Sequence, residues 1–499
     1  MHTAPTPKKL KIWNEGLAVR RTKIVATLGP ATDKPKVLDA VIAAGLDAAR
    51  LNYSHGNLEE HEARAHAVRR GAKRAGREVS LIADLQGPKI RLQRFRNGPI
   101  VLAEDARFVL DTALGADAGD EQRVGVTYKD LPKDVKRGDT LLIDDGRIVL
   151  RVERVAGTAI TTTVVAGGEL SNNKGLNREG GGLSARALTA KDKRDLQHAV
   201  LQGCDYLALS FPRSAEDVHA ARKLLAKAGG EGIGIIAKIE RAEAVEAADE
   251  IIDAADGIMI ARGDLGVEIG DSRLPPVQKQ LIKRARRRHR FAITATQMMN
   301  SMIDAPLPTR AEVFDVANAV LDGTDAVMLS GETSVGRYPE RAVAAMARVC
   351  IEAEKQWTEY EPDSMLDASF TRVDQAIAMS AIYCANRIGV KAIAALTESG
   401  AVTRWMSRID TDIPIFALSR NPQTLRRVTL YRGVQPMDFD VTAVHYTEVT
   451  REVLAQLTAI GAVQRGDRVI LTKGDLHGHS GGTNGMKIVT VGDFVEHVG

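Results

Sequence analysis

The chain has 499 residues, 44% of them hydrophobic and 26% charged, which is long enough for about three domains or one large barrel with additions. Its 68 Lys and Arg residues against 64 Asp and Glu residues leave a net charge of +4, too small for a protein that coats nucleic acid. The three cysteines, Cys204, Cys350 and Cys384, are too few and too scattered for a disulfide framework or a thiolate metal site, and they favour a reducing compartment.

The N-terminal segment 1–11 lacks the apolar core of a secretory signal. No uncharged stretch of about 18 residues follows it, so no transmembrane helix is expected. We therefore expect a soluble cytoplasmic protein whose partners include neither a membrane nor nucleic acid.

Eight short apolar runs alternate with segments of helical period, which is typical of βα units that feed a parallel sheet. The predicted strands cover residues 23–28, 49–53, 79–85, 206–210, 233–239, 257–261, 291–295 and 326–329. Eight parallel strands that alternate with helices close a (β/α)8 barrel, also called a TIM barrel. The predicted fold class is therefore α/β.

The pattern changes after the third strand, where residues 87–186 resemble short strands separated by turns such as DDG at 144–146. We predict an inserted small β-barrel domain here, called the inserted domain below. Because it leaves the barrel at the end of a strand, it should cover the face on which barrel active sites are built.

A third region begins near residue 371 and again mixes helices with apolar strands, which predicts a C-terminal open α/β domain. The acidic, poorly periodic stretch 359–368 is the predicted linker. The predicted domain limits are 1–86 and 187–360 for the two parts of the barrel, 87–186 for the inserted domain, and 361–499 for the C-terminal regulatory domain.

Polar residues collect at the carboxyl ends of the predicted barrel strands, the end that carries catalysis in this fold. Those of the second strand are spaced by two, so a pleated strand points them to one side. Six of the eight strand ends carry such groups, namely Arg50, Asn52 and Ser54; Asp84; Lys238 and Glu240; Asp264; Thr296; Ser330 and Glu332. One Lys-x-Glu pair is usually a surface pair, but six strand ends favour a functional site.

Glu240 and Asp264 follow neighbouring strands and can supply two carboxylate oxygens to Mg²⁺ or Mn²⁺, which fills its other positions with water and substrate oxygens. Lys238 and Arg50 add positive charge beside the metal. Such a cavity suits a substrate that carries phosphate, because phosphoryl transfer depends on positioning and charge neutralisation. The sequence therefore predicts phosphate chemistry at the barrel mouth.

These motifs resemble, in order and spacing, the signatures of the pyruvate kinase family, of the bacterial type with a K⁺-independent signature. They are RLNYSHG at 50–56, DLQGPKIR at 84–91, AKIE at 237–240, ARGDLG at 261–266, ATQM at 295–298 and LSGET at 329–333. The similarity extends from about residue 22 to the end of the chain. It implies glycolytic transfer of the phosphoryl group of phosphoenolpyruvate to ADP, giving pyruvate and ATP. It also implies an allosteric homotetramer whose inserted domain closes over the active site.

The resemblance also assigns roles to single residues. Lys238 is similar to the lysine that stabilises the migrating phosphoryl group, and Glu240 and Asp264 are similar to the Mg²⁺ ligands. Thr296 matches a residue near the proton delivered to the enolate, and Arg50 matches a phosphate contact. The implied catalytic residues are Lys238, Thr296 and Arg50. The implied substrate-binding residues are Arg50, Ser210, Lys238, Ala261, Arg262, Gly263, Asp264 and Thr296.

The nucleotide-binding positions implied by the resemblance are Asn52, His55, Arg91 and, from the inserted domain, Lys174. Ser330 and Glu332 match supporting positions of the family.

One departure from the family pattern concerns potassium. Members that require K⁺ have a threonine after the aspartate of the third strand and a glutamate four residues further on, where this chain has Leu85 and Lys89. Because a lysine ammonium is a fixed monovalent cation, we predict that Lys89 replaces K⁺ and that K⁺ is not required. By alignment, the potassium position consists of Asn52, Ser54, Asp84 and the carbonyl of Leu85.

A second departure concerns regulation. The segment TESGAVT at 397–403 resembles the family's effector phosphate loop, and a Ser/Gly-rich turn that opens a helix offers free N–H groups to an anion. Ala401 and Val402 stand where members that bind fructose 1,6-bisphosphate place polar or basic residues, and Glu398 adds negative charge. We therefore expect a sugar monophosphate or AMP as effector. The candidate effector residues are Thr397, Ser399, Gly400 and Thr403.

Other interpretations remain open from the sequence. The basic run at 283–290 fits the end of the sixth barrel helix better than a nucleic-acid patch. The Gly-rich segment 478–485 fits equally a flexible loop and a loop that closes the effector site. A barrel lyase or aldolase with a Glu and Asp metal pair is the rival enzyme, although it needs no nucleotide lid, and a nucleic-acid-binding protein with an inactive barrel is the rival from another class.

Overall fold

The computed structural model describes residues 20–356, 370–475 and 481–493. The predicted linker at 359–368 lies outside the described residues, as do residues 478–480 of the Gly-rich segment. Within the described ranges, none of the helices combines the length and apolar character that a membrane span requires. The exact domain limits given above stay predictions.

The first part of the chain forms alternating strands and helices. They are β1 (Lys23–Thr27), α1 (Pro35–Ala43), β2 (Ala48–Asn52), α2 (Leu58–Ala75) and β3 (Ser80–Asp84). Helix α2 begins at Asn57, whose side chain accepts a hydrogen bond from the Glu60 N–H at 2.8 Å. It ends at Gly76, which adopts the left-handed conformation with φ of 63° that favours glycine.

The inserted domain follows β3. Its elements are β4 (Ile100–Leu102), β5 (Arg107–Asp111), β6 (Arg123–Gly125), α3 (Leu131–Asp134), β7 (Thr140–Ile143), β8 (Ile148–Ala156), β9 (Ala159–Ala166), β10 (Gly168–Leu170) and β11 (Leu176–Arg178). Six strands form a sheet in the order β11-β7-β8-β9-β5-β6, and β4 pairs with β10. Single bridges join Arg91 to Gly175 and Leu92 to Val126, beside the two edge strands, and so connect the edges of the sheet. The domain has its own buried core.

The rest of the barrel consists of α4 (Ala190–Leu201), β12 (Tyr206–Leu209), α5 (Ala215–Lys227), β13 (Gly234–Ile239), α6 (Ala242–Glu246), α7 (Ala248–Ala254), β14 (Gly257–Ala261), α8 (Arg262–Ile269), α9 (Leu274–Arg287), β15 (Phe291–Ala295), α10 (Arg310–Leu321), β16 (Ala326–Leu329), α11 (Gly331–Ser334) and α12 (Pro339–Lys355). Eight parallel strands close in the order β1-β16-β15-β14-β13-β12-β3-β2. The predicted (β/α)8 barrel is confirmed. The first and last residues of each predicted strand lie within one residue of those observed.

Side chains alternate between the two faces of the barrel strands. Ile24 and Ala26 of β1 pack against the surrounding helices, whereas Val25 points into the barrel. Tyr206 and Phe291 fill the interior, with ring centroids 5.3 Å apart in a T-shaped arrangement. This interior cluster continues into the C-terminal domain, so the amino-terminal end of the barrel is sealed and the carboxyl end is left for a site.

The C-terminal domain is an open α/β sheet, as predicted. Its elements are α13 (Val373–Ile388), β17 (Val390–Leu396), α14 (Ala401–Met406), β18 (Ile415–Ser419), α15 (Pro422–Arg427), β19 (Val434–Asp438), α16 (Val449–Ala459), β20 (Arg468–Lys473) and β21 (Gly485–Thr490). The strand order is β19-β18-β17-β20-β21, with only the β20 and β21 pairing antiparallel. Strand β19 escaped prediction because Pro436 interrupts a short, weakly apolar run at the sheet edge.

The basic run at 283–290 lies at the end of α9, the helix that follows the sixth barrel strand. Three of its five arginines pair with acidic neighbours: Arg284 lies 2.6 Å and Arg288 3.0 Å from the carboxylate of Asp249, and Arg286 pairs with Asp410. These three cations are therefore neutralised within the molecule.

Asp325, directly before β16, joins the closed end of the barrel to the C-terminal domain. Its carboxylate accepts hydrogen bonds from the N–H groups of Ala292 (3.0 Å) and Arg432 (3.1 Å) and pairs with both arms of the Arg408 guanidinium. The side chains of Asp325 and Arg408 are each 1% exposed. The two domains are thus tied by a buried, fully paired charge.

We predict that Asp325→Ala lowers the free energy of unfolding by about 3–5 kcal/mol, because Arg408 would remain as an uncompensated buried charge. Urea unfolding of the variant and the parent measures the change. The control is Glu352→Ala, which removes an exposed pair with Lys355 and should cost less than about 1 kcal/mol. Equal losses in both variants would contradict the role given to Asp325.

Candidate active site

Lys238 lies at the centre of the open end of the barrel. It is the penultimate residue of β13, and its side chain points inward with that of Glu240, two residues on. Its ammonium lies 2.8 Å from Glu240 Oε1, 3.2 Å from Asp84 Oδ1 and 2.8 Å from Ser210 Oγ. The side chain is only 11% exposed. A buried cation held by two carboxylates and a hydroxyl is thereby fixed at the barrel mouth.

Arg50 is held beside it by the same carboxylate. Its Nε donates to Asp84 Oδ2 at 2.6 Å, and its guanidinium also donates to Thr27 Oγ1 at 3.0 Å. Asp84 is 1% exposed and lies between the two cations, so it fixes their separation. Sequence reasoning named Arg50 and Asp84 but missed Thr27, which ends β1 and looked like an ordinary strand residue.

The charges of this cluster are set by burial and by mutual pairing. Burial lowers the pKa of Lys238, but the carboxylates of Asp84 and Glu240 outweigh that effect and raise it above its ordinary value. Burial raises the pKa of Asp84, but Arg50 and Lys238 outweigh that effect and lower it. Lys238 therefore stays an ammonium at neutral pH.

Glu240 and Asp264 are the residues that fit a divalent metal. Burial raises the pKa of Glu240; Lys238 opposes this effect, and the negative charge of Asp264 adds to it. Glu240 Oε2 accepts the Phe211 N–H at 2.8 Å. In the described part of the chain no group of three or more His, Cys, Asp or Glu residues could hold a metal. Two carboxylates suit Mg²⁺, which keeps most positions for water and phosphate oxygens.

Thr296 directly follows β15 and has a backbone conformation that its branched side chain disfavours. Its φ is 68°, in the left-handed region, and Gln297 follows at 55°. The Thr296 hydroxyl accepts the Gly263 N–H at 2.9 Å and donates to the Ala295 carbonyl at 2.6 Å. The hydroxyl is thus aimed at the start of α8, where Ala261, Arg262 and Gly263 lie.

Arg262 holds that conformation in place. Its guanidinium pairs with both carboxylate oxygens of Asp315 at 2.7 Å and donates to the Thr296 carbonyl at 2.7 Å. Its side chain therefore supports the loop after β15, and only its backbone is available to a substrate. Asp315 was missed in the sequence, since an acidic residue on the second turn of a helix carries no recognisable signal.

Ser210 and Glu332 organise neighbouring strand ends. Ser210 donates to the Leu85 carbonyl at 2.7 Å while it accepts from Lys238. The Glu332 carboxylate, 1% exposed, accepts the N–H groups of Ser330 (2.6 Å) and Met299 (3.0 Å). Glu332 thus joins the ends of β15 and β16 and supports the site from behind.

The residues of the predicted potassium position lie on adjacent strand ends. Asn52 is the register partner of Asp84, and its side-chain oxygen accepts the Ser54 N–H at 3.1 Å. Among the described residues, the ammonium of Lys89 forms an ion pair with Asp264 Oδ1 at 3.0 Å and with no residue of that position. The structure therefore places Lys89 on a proposed metal ligand.

The predicted nucleotide residues come from both sides of the cleft. Arg91 donates to the Asn173 carbonyl at 3.0 Å within the inserted domain, where Lys174 pairs with Asp144 at 2.8 Å. His55 lies on the barrel loop after β2, and its pKa is lowered by partial burial and by Arg91 among its neighbours. Arg91 is thus near His55, whereas Lys174 is occupied inside the inserted domain.

The chain returns from the inserted domain through three consecutive glycines at 180–182, with φ of 77°, 80° and 88°, a conformation that favours glycine. The barrel holds this segment by its backbone. The Gly180 N–H donates to the Glu268 carbonyl at 3.0 Å, and the Gly182 N–H donates to the carboxylate of Glu243. Sequence reasoning missed both glutamates, because nothing in their local pattern marks a contact so distant in sequence.

The Glu268 side chain lies under the same junction. Its carboxylate accepts the Ala242 N–H at 3.0 Å and a long contact from the Asn177 amide at 3.4 Å. Burial raises the pKa of Glu268 from 4.5 to about 7. Helix α8 thus carries a proposed metal ligand at its first turn and a contact of the inserted domain at its last.

A cavity of about 310 Å³ lies in the C-terminal domain, where the sequence predicted the effector loop. Thr397 and Glu398 line it, and Glu398 lies 3.6 Å from Arg420. Gly400 donates its N–H to Thr397 Oγ1, and the fully buried Thr403 donates its hydroxyl to the Gly400 carbonyl, both at 2.9 Å. Thr403 therefore supports the loop from behind, while Ser399 lies half-buried in the loop itself.

The comparisons with known proteins agree with this geometry. The chain matches the family model "Pyruvate kinase, barrel domain" over residues 19–343 and "Pyruvate kinase, alpha/beta domain" over residues 375–489. It is 54% identical to pyruvate kinase II of Salmonella typhimurium over 477 residues, 95% of this chain and 99% of the relative. It is 51% identical to a pyruvate kinase of Haemophilus influenzae, covering 91% and 96% of the two chains. A Mycobacterium tuberculosis pyruvate kinase is 40% identical, covering 95% and 99%.

A (β/α)8 barrel with fixed cations and paired carboxylates at the carboxyl ends of its strands defines a phosphotransferase of the barrel class. The chain belongs to the pyruvate kinase family, as the sequence motifs predicted.

We predict that Glu268→Gln changes the free energy of unfolding in a pH-dependent way. The value for the variant minus the value for the parent should be larger at pH 8 than at pH 5. A carboxyl group with a raised pKa contributes stability below its ordinary pKa of 4.5 and loses it as the pH rises through about 7. The difference between the two pH values should approach about 3 kcal/mol. Thermal unfolding at both pH values measures it, with the exposed Glu246→Gln as control. Parallel pH profiles for the parent and Glu268→Gln would contradict the raised pKa.

Proposed function

We propose that the chain transfers the phosphoryl group of phosphoenolpyruvate to ADP, giving pyruvate and ATP, as a glycolytic enzyme. The observation that carries this proposal is the Lys238 ammonium, fixed between Asp84 and Glu240 and beside Arg50 at the barrel mouth. The migrating phosphoryl group carries its charge on three oxygens, and its transfer depends on positioned positive charge rather than on covalent help.

Glu240 and Asp264 would hold the Mg²⁺ ion, or Mn²⁺ in its place, which supplies positive charge to the phosphate oxygens when it is bound. Arg50 would orient the phosphate from the opposite side, because Asp84 and Thr27 fix its guanidinium. Lys238 would neutralise the phosphoryl group as its bond to the enol oxygen breaks and a bond to the terminal oxygen of ADP forms. The carboxylate pair keeps Lys238 charged throughout, as its raised pKa indicates.

The remaining enolate of pyruvate needs a proton at its methylene carbon. The Thr296 hydroxyl would lie beside that carbon, and a proton would reach the enolate from a group near this hydroxyl. The substrate carboxylate would bind at the start of α8, against the backbone of 261–263, because helix N-termini offer N–H groups to anions. The strained Thr296, held through Arg262 by Asp315, fixes this geometry before the substrate arrives.

ADP would bind between the barrel and the inserted domain. Asn52 and His55 would contact it from the barrel, and Arg91 and Lys174 from the inserted domain. Since Lys174 is paired with Asp144, closure of the inserted domain over the nucleotide must exchange that pair for a phosphate contact.

We predict that Lys238→Met lowers turnover by about 10³-fold or more, since positioned cations of this kind contribute that much to phosphoryl transfer. Release of pyruvate from phosphoenolpyruvate, with ADP and Mg²⁺ present or chelated, measures it. Calorimetric titration should show phosphoenolpyruvate still binding. Lys355→Met on the exposed face of α12 is the control.

Near-normal turnover of Lys238→Met would refute the assigned role. Pyruvate formation that needs no ADP would favour the rival lyase or aldolase, and no turnover by the parent would favour an inactive barrel.

The absence of a potassium requirement is also proposed. Leu85 and Lys89 replace the threonine and glutamate of K⁺-requiring members, and Lys89 enters the site from the segment that leads into the inserted domain. Its ammonium would provide the monovalent positive charge beside Asn52, Ser54 and Asp84 during turnover.

We predict that activity persists when tetramethylammonium replaces K⁺, because the required charge is covalently attached. Steady-state assays with and without K⁺ measure this. In Leu85→Thr/Lys89→Glu the requirement should appear, with activity rising at least tenfold on addition of K⁺. A collapse of the parent's activity in K⁺-free buffer would contradict the role of Lys89.

Allosteric regulation through the C-terminal domain is proposed on the cavity of about 310 Å³. The side chains of Arg420 and Lys473 line it and would attract a phosphate, while Glu398 neutralises Arg420 and limits the charge that can be bound. This favours a sugar monophosphate or AMP over fructose 1,6-bisphosphate.

We predict that a sugar monophosphate or AMP lowers the KM for phosphoenolpyruvate several-fold and that fructose 1,6-bisphosphate does not. Glu398→Gln should lower the activation constant of the monophosphate, because it frees Arg420. Titrations of activity measure both, with the exposed Glu352→Gln as control. Strong activation of the parent by fructose 1,6-bisphosphate would overturn this proposal.

A cytoplasmic homotetramer is the proposed assembly. Leu307, just before α10, is 68% exposed, and Phe314, on α10, is 75% exposed. Such exposed apolar side chains favour burial against another copy of the chain. Phe314 precedes Asp315, so such an interface would lie one residue from the group that holds Arg262 and Thr296.

A further inference from the structure

The contact between Lys89 and Asp264 has a consequence for metal binding. We propose that Lys89 is a built-in competitor of the divalent metal: its ammonium holds the Asp264 carboxylate before the metal binds and must leave when the metal arrives. This rests on the proposed function, in which Asp264 is a metal ligand. The distance from Lys89 Nζ to Asp264 Oδ1 is 3.0 Å.

Each proposed metal ligand is paired with a lysine, but the two lysines are held differently. Lys238, beside Glu240, also contacts Asp84 and Ser210 and is 11% exposed. Lys89 has, among the described residues, no ion-pair partner other than Asp264. Lys238 is therefore fixed in place, whereas Lys89 is bound at a single point.

The Lys89 pair is also weak enough to be displaced. The side chains of Lys89 and Asp264 are 29% and 21% exposed, and partly exposed ion pairs contribute little because water screens them. A divalent ion brings twice the charge to the same oxygens. The stem of Lys89 is flexible, and its Cε lies beside Gly175, which has no side chain.

Displacement from Asp264 would let the Lys89 ammonium move to the predicted potassium position. The predicted potassium position includes Asp84 and the Leu85 carbonyl, five and four residues before Lys89 in the same segment. In the described ranges, the ammonium is paired with Asp264 and with no residue of that position, so we infer that it moves when it takes up this role. Metal binding would thus free the lysine for its role beside the substrate, so that the monovalent charge moves into place only after the divalent metal has bound.

The same step would loosen the inserted domain. Lys89 lies in the segment through which the chain enters that domain, and Asp264 lies in the first turn of α8. Before metal binding, the pair ties this segment to the barrel. Release of Lys89 leaves the entry segment free to move, while the return segment stays bound through Glu243 and Glu268.

The test is the binding of Mn²⁺ to the full-length enzyme without substrate, followed by electron paramagnetic resonance of the free ion. Lys89→Gln should bind Mn²⁺ about 2- to 5-fold more tightly than the parent, which is the worth of a partly exposed ion pair. Lys89→Arg, which keeps the charge, should bind as the parent does. An unchanged or weaker affinity in Lys89→Gln would overturn the proposal.

A second measurement separates displacement from a general effect of the lost charge. In the parent, Mg²⁺ should speed hydrogen exchange in residues 86–92, and in Lys89→Gln exchange should already be fast and insensitive to Mg²⁺. If Lys89→Gln bound Mn²⁺ more tightly but hydrogen exchange were unchanged, the lost positive charge alone would explain the affinity. That result would overturn the proposal.

Asp264→Asn distinguishes this inference from the proposed function. If the parent binds no Mn²⁺, or Asp264→Asn binds it equally well, the metal assignment itself fails. If Asp264→Asn loses binding and Lys89→Gln behaves as the parent, only the competition by Lys89 fails.

Discussion

A buried ammonium has to be compensated, and the active end of this barrel is arranged around that requirement. Asp84, at the end of β3, pairs with Lys238 of β13 on one side and with Arg50 of β2 on the other. Glu240 and Ser210 complete the contacts of Lys238. Removal of Asp84 would deprive both cations of a carboxylate partner, so this residue holds Lys238 and Arg50 beside each other at the barrel mouth. The contacts that would position the substrate in the proposed function are thus also contacts that join strands of the barrel.

Beside this network the backbone at Thr296 is strained, and contacts from neighbouring elements hold it in that conformation. Thr296 keeps a left-handed backbone because Arg262 holds its carbonyl, and Asp315 on α10 holds Arg262. The exposed Phe314 lies beside Asp315, which connects the proposed subunit interface to the substrate site through two side chains. The inserted domain is tied to α8 at both ends, by Lys89 on entry and by Glu268 on return. The proposed metal binding, closure of the inserted domain and assembly would therefore all act on neighbouring parts of α8 and of the loop after β15.

The sequence predicted structural features correctly where they depend on periodicity and motif spacing, that is, on residues close together in the chain. The eight barrel strands were predicted within one residue, because a parallel strand buried on both faces gives a continuous apolar run. The edge strand β19 was missed, since Pro436 and polar neighbours hide its pattern. The motifs at the strand ends predicted the polar groups Arg50, Lys238, Glu240, Asp264 and Thr296. This was possible because every second residue of a barrel strand points inward and all eight strands end at the same face of the barrel.

What the sequence by itself determined is the fold, the family and the set of polar groups that face the barrel mouth. Only the tertiary structure decided how these groups are paired: that Lys89 contacts Asp264, that the Arg262 side chain turns away from the cleft, and that Thr403 supports the effector loop from behind. Thr27, Asp315, Glu243 and Glu268 also emerged only there. Strand and helix patterns are local in the chain, whereas the partner of a charged side chain is set by segments tens to hundreds of residues away.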